Sequence, residues 1–305
     1  MEQQHAAIIG CGLMGCDIAA IFLAGGWRVT AVEPNRALWP KALDRMASSI
    51  AQLEGDPART AQASIVESLA DIGWSDVAVV VEAAPEKLAL KQKIFAELDK
   101  LVPPGIPVAS NASSYRITDI AGDCATRNRM ANLHFFLPAH LVPGVEVVQG
   151  QHTEKPVCDR LAEIMSSLGR VPIRVARDVP GFLANRIQHA LMREAFNVID
   201  EGLGSAEDVD NAVRYCFGFR YLSAGPIMQK ELAGLETQLA AAATIYPSLH
   251  NGTEPSPTLQ KLVAENRLGP KTGRGFWDWT EEKVAAERAR YERALLASMK
   301  VLKGE

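Results

Sequence analysis

The chain has 305 residues, 22% of them charged and 48% hydrophobic, with a formal net charge of −4. That length fits one large or two ordinary domains, and that charge excludes a global basic field for nucleic acid or an anionic membrane. No apolar run is long enough to span a bilayer, the polar stretch Met1 to His5 is not a secretory leader, and five scattered cysteines without a CxxC pair read as reduced thiols of a cytoplasmic protein rather than a disulfide framework or metal site.

In chain order, Ala6 to Ile9 is a short strand and Cys11 to Ala24 a glycine turn followed by a helix. Arg28 to Val32 is a second strand. A helix from about Arg36 to Leu53 is broken by Gly55, Asp56 and Pro57. Val77 to Val81 is a β-branched run, the mark of a strand buried on both faces. Leu88 to Leu101 is helical. Pro107 to Ala109, Met130 to Phe136, Val145 to Val148 and Val171 to Val175 are further strands. Alternating strands and helices predict an α/β fold, a doubly wound and mostly parallel sheet. After Pro180 and Gly181 the pattern changes to helices alone. One runs to about Glu201, where Gly202 stops it; Ser205 caps the next, and others follow over Met228 to Ala243, Thr258 to Glu265 and Glu281 to Lys300. The expected division is residues 1–178 for the sheet domain and 179–305 for an all-helical domain.

Gly10-Cys11-Gly12-Leu13-Met14-Gly15 follows a strand and opens a helix. The three glycines suit a tight turn, a close approach of backbone to a pyrophosphate, and close helix–strand packing; the helix N-terminus then faces the phosphates. Glu33 ends the second strand, where a carboxylate accepts from both ribose hydroxyls and repels a 2′-phosphate, favouring NAD over NADP. Arg36, close by, reads as a solvated arginine. This is a Rossmann-like dinucleotide site. His134 ends a later strand, at the sheet edge where ligands bind in such folds. Glu146 is an unexpected charge in a buried-looking strand and needs a partner. A carboxylate on one imidazole nitrogen fixes the tautomer, leaving the other nitrogen to take a hydroxyl proton as hydride leaves. A lone histidine is also often a satisfied core residue, Asn111 and Ser113 also read as turn chemistry, and Asn185 as a polar residue facing water.

Taken together, IIGCGLMGCDIA, VVVEAAPE, SNASS, HFFLP, VEVV, DVPGFLANRI and KTGRGFWDW resemble the 3-hydroxyacyl-CoA dehydrogenase family from about residue 6 to residue 279. The resemblance implies His134 as the acid/base, Glu146 as its orienting partner, and Ser113 and Asn185 as substrate-contacting groups. It implies NAD as cofactor, held by Gly10, Gly12, Leu13, Met14, Gly15, Glu33, Ala83, Glu86, Lys91, Asn111, Ser113 and, more weakly, Lys271. It further implies a small-molecule 3-hydroxy or 3-keto acyl substrate, a homodimer made by the C-terminal helices, a place in fatty acid metabolism, and no metal.

Two departures matter. Leu137 stands where the family has asparagine, which leaves open a more apolar pocket or substitution by His140, otherwise an exposed loop histidine. The stretch from Pro34 to Asp76 holds one helix and a short second segment, where acyl-CoA members carry a long helical hairpin that helps clasp CoA. The chain therefore also resembles the shorter gulonate dehydrogenase (lambda-crystallin) and carnitine dehydrogenase branches. The alternatives are a dehydrogenase of a free 3-hydroxy acid or diketone, and a non-catalytic NAD-binding or crystallin-like protein.

Overall fold

The computed structural model describes residues 3–304, so part of the Met1 to His5 reading lies outside the described residues. They fall in two compact units that divide after Ala184, at the first residue of the helix expected after Gly181.

The first unit contains strands β1 (His5–Ile9), β2 (Arg28–Val32), β3 (Ala63–Val66), β4 (Val77–Glu82), β5 (Val108–Ser110), β6 (Met130–Phe135), β7 (Gly144–Val148) and β8 (Val171–Val175). Its helices are α1 (Leu13–Ala24), α2 (Trp39–Gln52), α3 (Leu88–Leu101), α4 (Ile117–Ala121) and α5 (Lys155–Ser167). The strands form one sheet in the order β3-β2-β1-β4-β5-β6-β7-β8. Every pairing is parallel except β6 with β7, which is antiparallel.

The strands are apolar on both sides because helices cover both faces. Alternate residues of β1 make the point: Ala6 and Ile8 pack with α1, α2 and α5, whereas Ala7 and Ile9 pack with α3 and α4. Strand order reverses between β1 and β4, the switch point at which this class of sheet binds ligands beyond its carboxyl edge. There the glycine turn is sterically required. A Cβ at Gly15 would lie 1.8 Å from the Gly10 carbonyl oxygen, and Gly10 itself has φ +107° with the Ala83 carbonyl 3.0 Å from its ideal Cβ position.

The second unit is all helical. It begins in α6 (Ala184–Asp200) and continues with α7 (Ala206–Asn211), α8 (Pro226–Ala233), α9 (Leu235–Ile245), α10 (Pro257–Ala264) and α11 (Glu281–Lys303). Ser205 caps α7 reciprocally with Asp208, as expected. The single helix expected from Met228 to Ala243 is two, because Gly234 at φ +96° breaks it. Strand β3 and helices α4 and α5 were not expected.

Candidate active site

Four chain segments meet at the carboxyl edge of the sheet. Strands β4, β5 and β6 end there with Glu82, Ser110 and Phe135. Because β7 runs the other way, its amino end lies at the same edge, and the antiparallel register sets Glu146 directly opposite His134.

The expected pairing of these two residues forms. His134 Nδ1 lies 2.8 Å from Glu146 Oε2, with His134 2% and Glu146 0% exposed. The other carboxylate oxygen accepts from the backbone N–H groups of Leu183 (3.0 Å) and Ala184 (2.7 Å). Burial pushes the Glu146 carboxyl up, but the His134 hydrogen bond, those two N–H donors and the His134 charge outweigh it, leaving it below the usual carboxylate range. An ionised carboxylate only accepts, so Nδ1 carries a proton, and in the neutral ring Nε2 on the other side is the acceptor. Ser113 Oγ sits 2.9 Å from Nε2. The imidazole is held edge-to-face by Phe136 (4.5 Å between ring centres) and Phe182 (5.5 Å).

The Ser113 loop is itself braced. Glu86 Oε1 accepts from the N–H groups of Ser113 (3.1 Å) and Ser114 (2.8 Å). Lys91 Nζ lies 3.3 Å from Glu86 and donates to Glu82 (2.8 and 3.1 Å) and to the Ala84 carbonyl (3.1 Å). Lys91 was expected to touch the cofactor, but it is 1% exposed and its ammonium is saturated by these groups. Its part in the site runs through Glu86. Asn111 likewise uses its side-chain oxygen on the Phe135 N–H at 2.9 Å, tying the end of β5 to the end of β6.

The glycine turn fits a dinucleotide. A Cβ at Gly12, the N-cap of α1, would meet nothing within 4 Å, and no side chain caps that helix. Its first-turn N–H groups, beside exposed Leu13 and half-buried Met14, suit an anion. Cys11, inside the turn, has its thiol pushed up to about 12 by burial, reinforced by Cys16 and Glu33, so it is no nucleophile there. Glu33 is half-buried just beyond β2 and accepts from the Asn35 N–H at 3.0 Å. Arg36 pairs with Glu67 and stacks over Trp39, a solvated arginine as expected. Glu33→Ala should therefore narrow the NAD over NADP preference, measured as the ratio of the two kcat/KM values; an unchanged ratio would refute the ribose role.

Asn185, in the first turn of α6, and exposed Lys271 belong to the second unit. His140 is not an exposed loop residue: it is 3% exposed and faces Asp17 and Gln52. Sequence reasoning missed Glu82, Asp17 and Phe182. For the two acids the available signal was a charge set in an otherwise apolar element.

Residues 5–179 match the family model described as 3-hydroxyacyl-CoA dehydrogenase, NAD binding domain, and residues 181–279 match its C-terminal domain model. The 5-formyl-3-hydroxy-2-methylpyridine 4-carboxylate 5-dehydrogenase of Mesorhizobium japonicum is 29% identical, over 99% of both chains. A solved structure of this type of enzyme, described as an NAD+ dependent dismutase, superposes with a TM-score of 0.92 at 27% identity over 99% of both chains. Human mitochondrial hydroxyacyl-coenzyme A dehydrogenase is 31% identical, over 90% of this chain and 91% of its own length. The (S)-3-hydroxybutyryl-CoA dehydrogenase structure from Ralstonia eutropha gives a TM-score of 0.74 at 31% identity, over 92% of this chain and all of the other. On the family models, which together span most of its length, and on the glycine turn that fits the cofactor, this chain belongs to the 3-hydroxyacyl-CoA dehydrogenase family and is an NAD-dependent dehydrogenase.

Proposed function

We propose that the protein interconverts a 3-hydroxy acyl compound and its 3-keto form, with His134 as acid/base. The observation that carries this reading is the continuous chain Ser113–His134–Glu146, whose orientation leaves Nε2 to exchange the hydroxyl proton. Bound NAD supplies the hydride acceptor. The residues of this chain do the rest. Ser113 orients the substrate oxygen, Nε2 takes its proton, and Glu146 stabilises the imidazolium that results. Phe136 and Phe182 exclude water from the ring. Asn185 is proposed as a second substrate contact. Gly10, Gly12, Leu13, Met14 and Gly15 hold the pyrophosphate, Glu33 the ribose, and Ala83, Glu86 and Asn111 the nicotinamide half, with Lys271 as a further contact. This arrangement of polar groups argues against a non-catalytic, crystallin-like role.

A second reading is favoured by a specific observation: the substrate is a free carboxylate rather than a CoA thioester. Between β2 and β4 stand one α-helix, short 3₁₀ turns and the edge strand β3, with no second long helix. Two cations of that stretch are already engaged, Arg36 with Glu67 and Arg45 with Asp17, which leaves fewer for the CoA phosphates. The Mesorhizobium relative, named for a pyridine carboxylate, matches this chain end to end, and the dismutase structure superposes better than the CoA-named one. The test is NADH oxidation with acetoacetyl-CoA, free acetoacetate and a panel of keto and formyl acids. Free acids should give the higher kcat/KM. A strong preference for the thioester would overturn the free-acid reading and put the enzyme in fatty acid metabolism.

We further propose the homodimer and the cytoplasm. Ile227, Leu232 and Leu239 of the second unit are each more than 70% exposed, an apolar surface of the kind that subunits bury. All five cysteines are free thiols, as in reducing compartments.

A further inference from the structure

Helix α1 carries a charge that the dinucleotide turn does not need. Asp17 lies one turn into an otherwise apolar helix and is 0% exposed. A buried carboxylate requires partners. Arg45 of α2 lies 2.9 and 3.0 Å from its two oxygens, and Ser49 of α2 donates to Oδ1 at 3.0 Å. A further contact comes from far along the chain: His140 Nδ1 is 3.2 Å from Asp17 Oδ2, close enough for electrostatic attraction though not aligned as a hydrogen bond. The other ring nitrogen of His140 meets the Gln52 side-chain oxygen of α2, and the His140 carbonyl accepts from buried Arg170 at 2.9 Å. Burial raises the Asp17 carboxyl, but His140 and Arg45 outweigh it, so it stays below its ordinary range.

His140 sits in the strap between β6 and β7, residues 136–143, which joins the two halves of the catalytic pair. That strap is not part of the sheet ladder, so the sheet does not fix it. It begins with Phe136, whose ring packs on His134, and continues with Leu137, 60% exposed at the same edge. A hydrogen-bonded turn from Pro138 to Leu141 and Val142 leads through His140 toward β7. His140, together with buried Ala139 and Leu141, holds the strap, and through it the ring that abuts the acid/base.

We propose that His140 is a positioning residue: by pairing with Asp17 it pins the β6–β7 strap to the cofactor-facing helix α1 and seats Phe136 and Leu137 around His134. The proposal rests on the reading of His134 as the acid/base. It differs from a packing role because it predicts a change at His134 itself. It also differs from a cofactor role, because neither His140 nor Asp17 lies in the glycine turn.

The experiment compares His140→Leu, His140→Asn, Asp17→Asn and the double variant Asp17→Asn/His140→Leu. Asp17 keeps Arg45 and Ser49 when His140 is replaced, so the buried carboxylate is not orphaned. Three readouts are taken: kcat and KM with the best keto substrate, NADH affinity by fluorescence, and the NMR signal of the His134 Nδ1 proton. In His140→Leu, kcat should fall at least ~10-fold, as expected for misplaced reacting groups, while NADH affinity stays within about 3-fold. The His134 proton signal should shift or broaden. His140→Asn, which keeps a donor toward Asp17, should recover most of the loss. The double variant should be no worse than the poorer single variant, since both cut one contact. An unchanged kcat and unchanged His134 signal in a folded His140→Leu protein would overturn the proposal. So would a loss of NADH affinity that matches the loss of kcat, a fall in melting temperature alone, or failure of His140→Asn to recover activity. If His140→Leu does not fold, Asp17→Asn decides: it should lower kcat and shift the His134 signal with NADH affinity kept, and an unchanged kcat and signal would overturn the proposal. If the wild-type protein reduces no keto compound, the reading of function fails, and the NMR signal still decides the pin.

Discussion

His134→Ala is expected to lower kcat by about 10³-fold or more, a loss of about 4 kcal/mol of transition-state stabilisation. The affinity for NADH should stay close to that of the wild type. The two effects separate because the histidine ends β6, whereas the glycine turn joins β1 to α1, with β4 and β5 between them in the sheet. Removing the imidazole leaves Ser113 without a base and Glu146 without its side-chain partner, yet touches nothing in the turn. Steady-state kinetics beside a fluorescence titration with NADH makes the check. A large loss of NADH affinity would mean that the histidine serves the cofactor or the fold.

The second large effect is expected at Glu146. Glu146→Gln should cut kcat by more than ~10²-fold while leaving KM near its original value. Glutamine still offers an oxygen to the Leu183 and Ala184 N–H groups, which turns its NH2 toward His134 Nδ1, so the change removes both the charge that supports the imidazolium and the acceptor that keeps the proton on Nδ1. An unchanged rate would sink the pairing. The same residue makes a pH statement about stability. Its carboxyl lies below the ordinary value of 4.5 in the folded chain. A depressed folded value means that the contribution is present in full above the unfolded value and is lost as pH falls through the folded one. The wild-type melting temperature should therefore begin to fall near pH 4.5 and below, and Glu146→Gln should flatten that acid limb.

Most of the sheet was legible because its strands are apolar on both faces and bounded by glycine, proline or polar residues. Strand β3 was not: Ala63–Val66 is four residues long, at the sheet edge and only partly buried. Helix α5 has its signals, Pro156 in the first turn and Cys158, Leu161, Ala162 and Met165 on one buried face, but Lys155, Asp159, Arg160 and Glu163 are interleaved with them and mask the apolar stripe. The break at Gly234 was hidden because the apolar spacing continues across it. In the site, Glu146 declared itself as a charge among valines, and it points to His134 as expected. What the residues did not reveal is the reversal of β7, since an apolar run reads alike in either direction. That reversal is the reason the two residues face each other. The buried charges tell a similar story. Asp17, Glu82 and Lys91 each demand a partner by burial alone, but chain distance conceals which. Glu82 meets a lysine on the next helix, whereas Asp17 meets a histidine from the far side of the sheet sequence. Lys91 is a similar case: a lysine near a cofactor site suggests a contact, and the fold also turns its ammonium onto Glu82, Glu86 and the Ala84 carbonyl.

In the proposed reaction, hydride passes at this edge of the sheet between NAD and a carbon whose oxygen is served by His134. The most direct test is deuterium transfer. NADH deuterated at the nicotinamide C4 position, on the face the enzyme uses, is incubated with the wild-type protein and with His134→Ala in the presence of the keto compound that the wild type reduces best. The hydroxy product is then read by mass spectrometry. The wild-type product should carry one deuterium on the carbinol carbon, and the variant should give almost no product. A product without deuterium, or equal yields from both proteins, would contradict the proposed reaction.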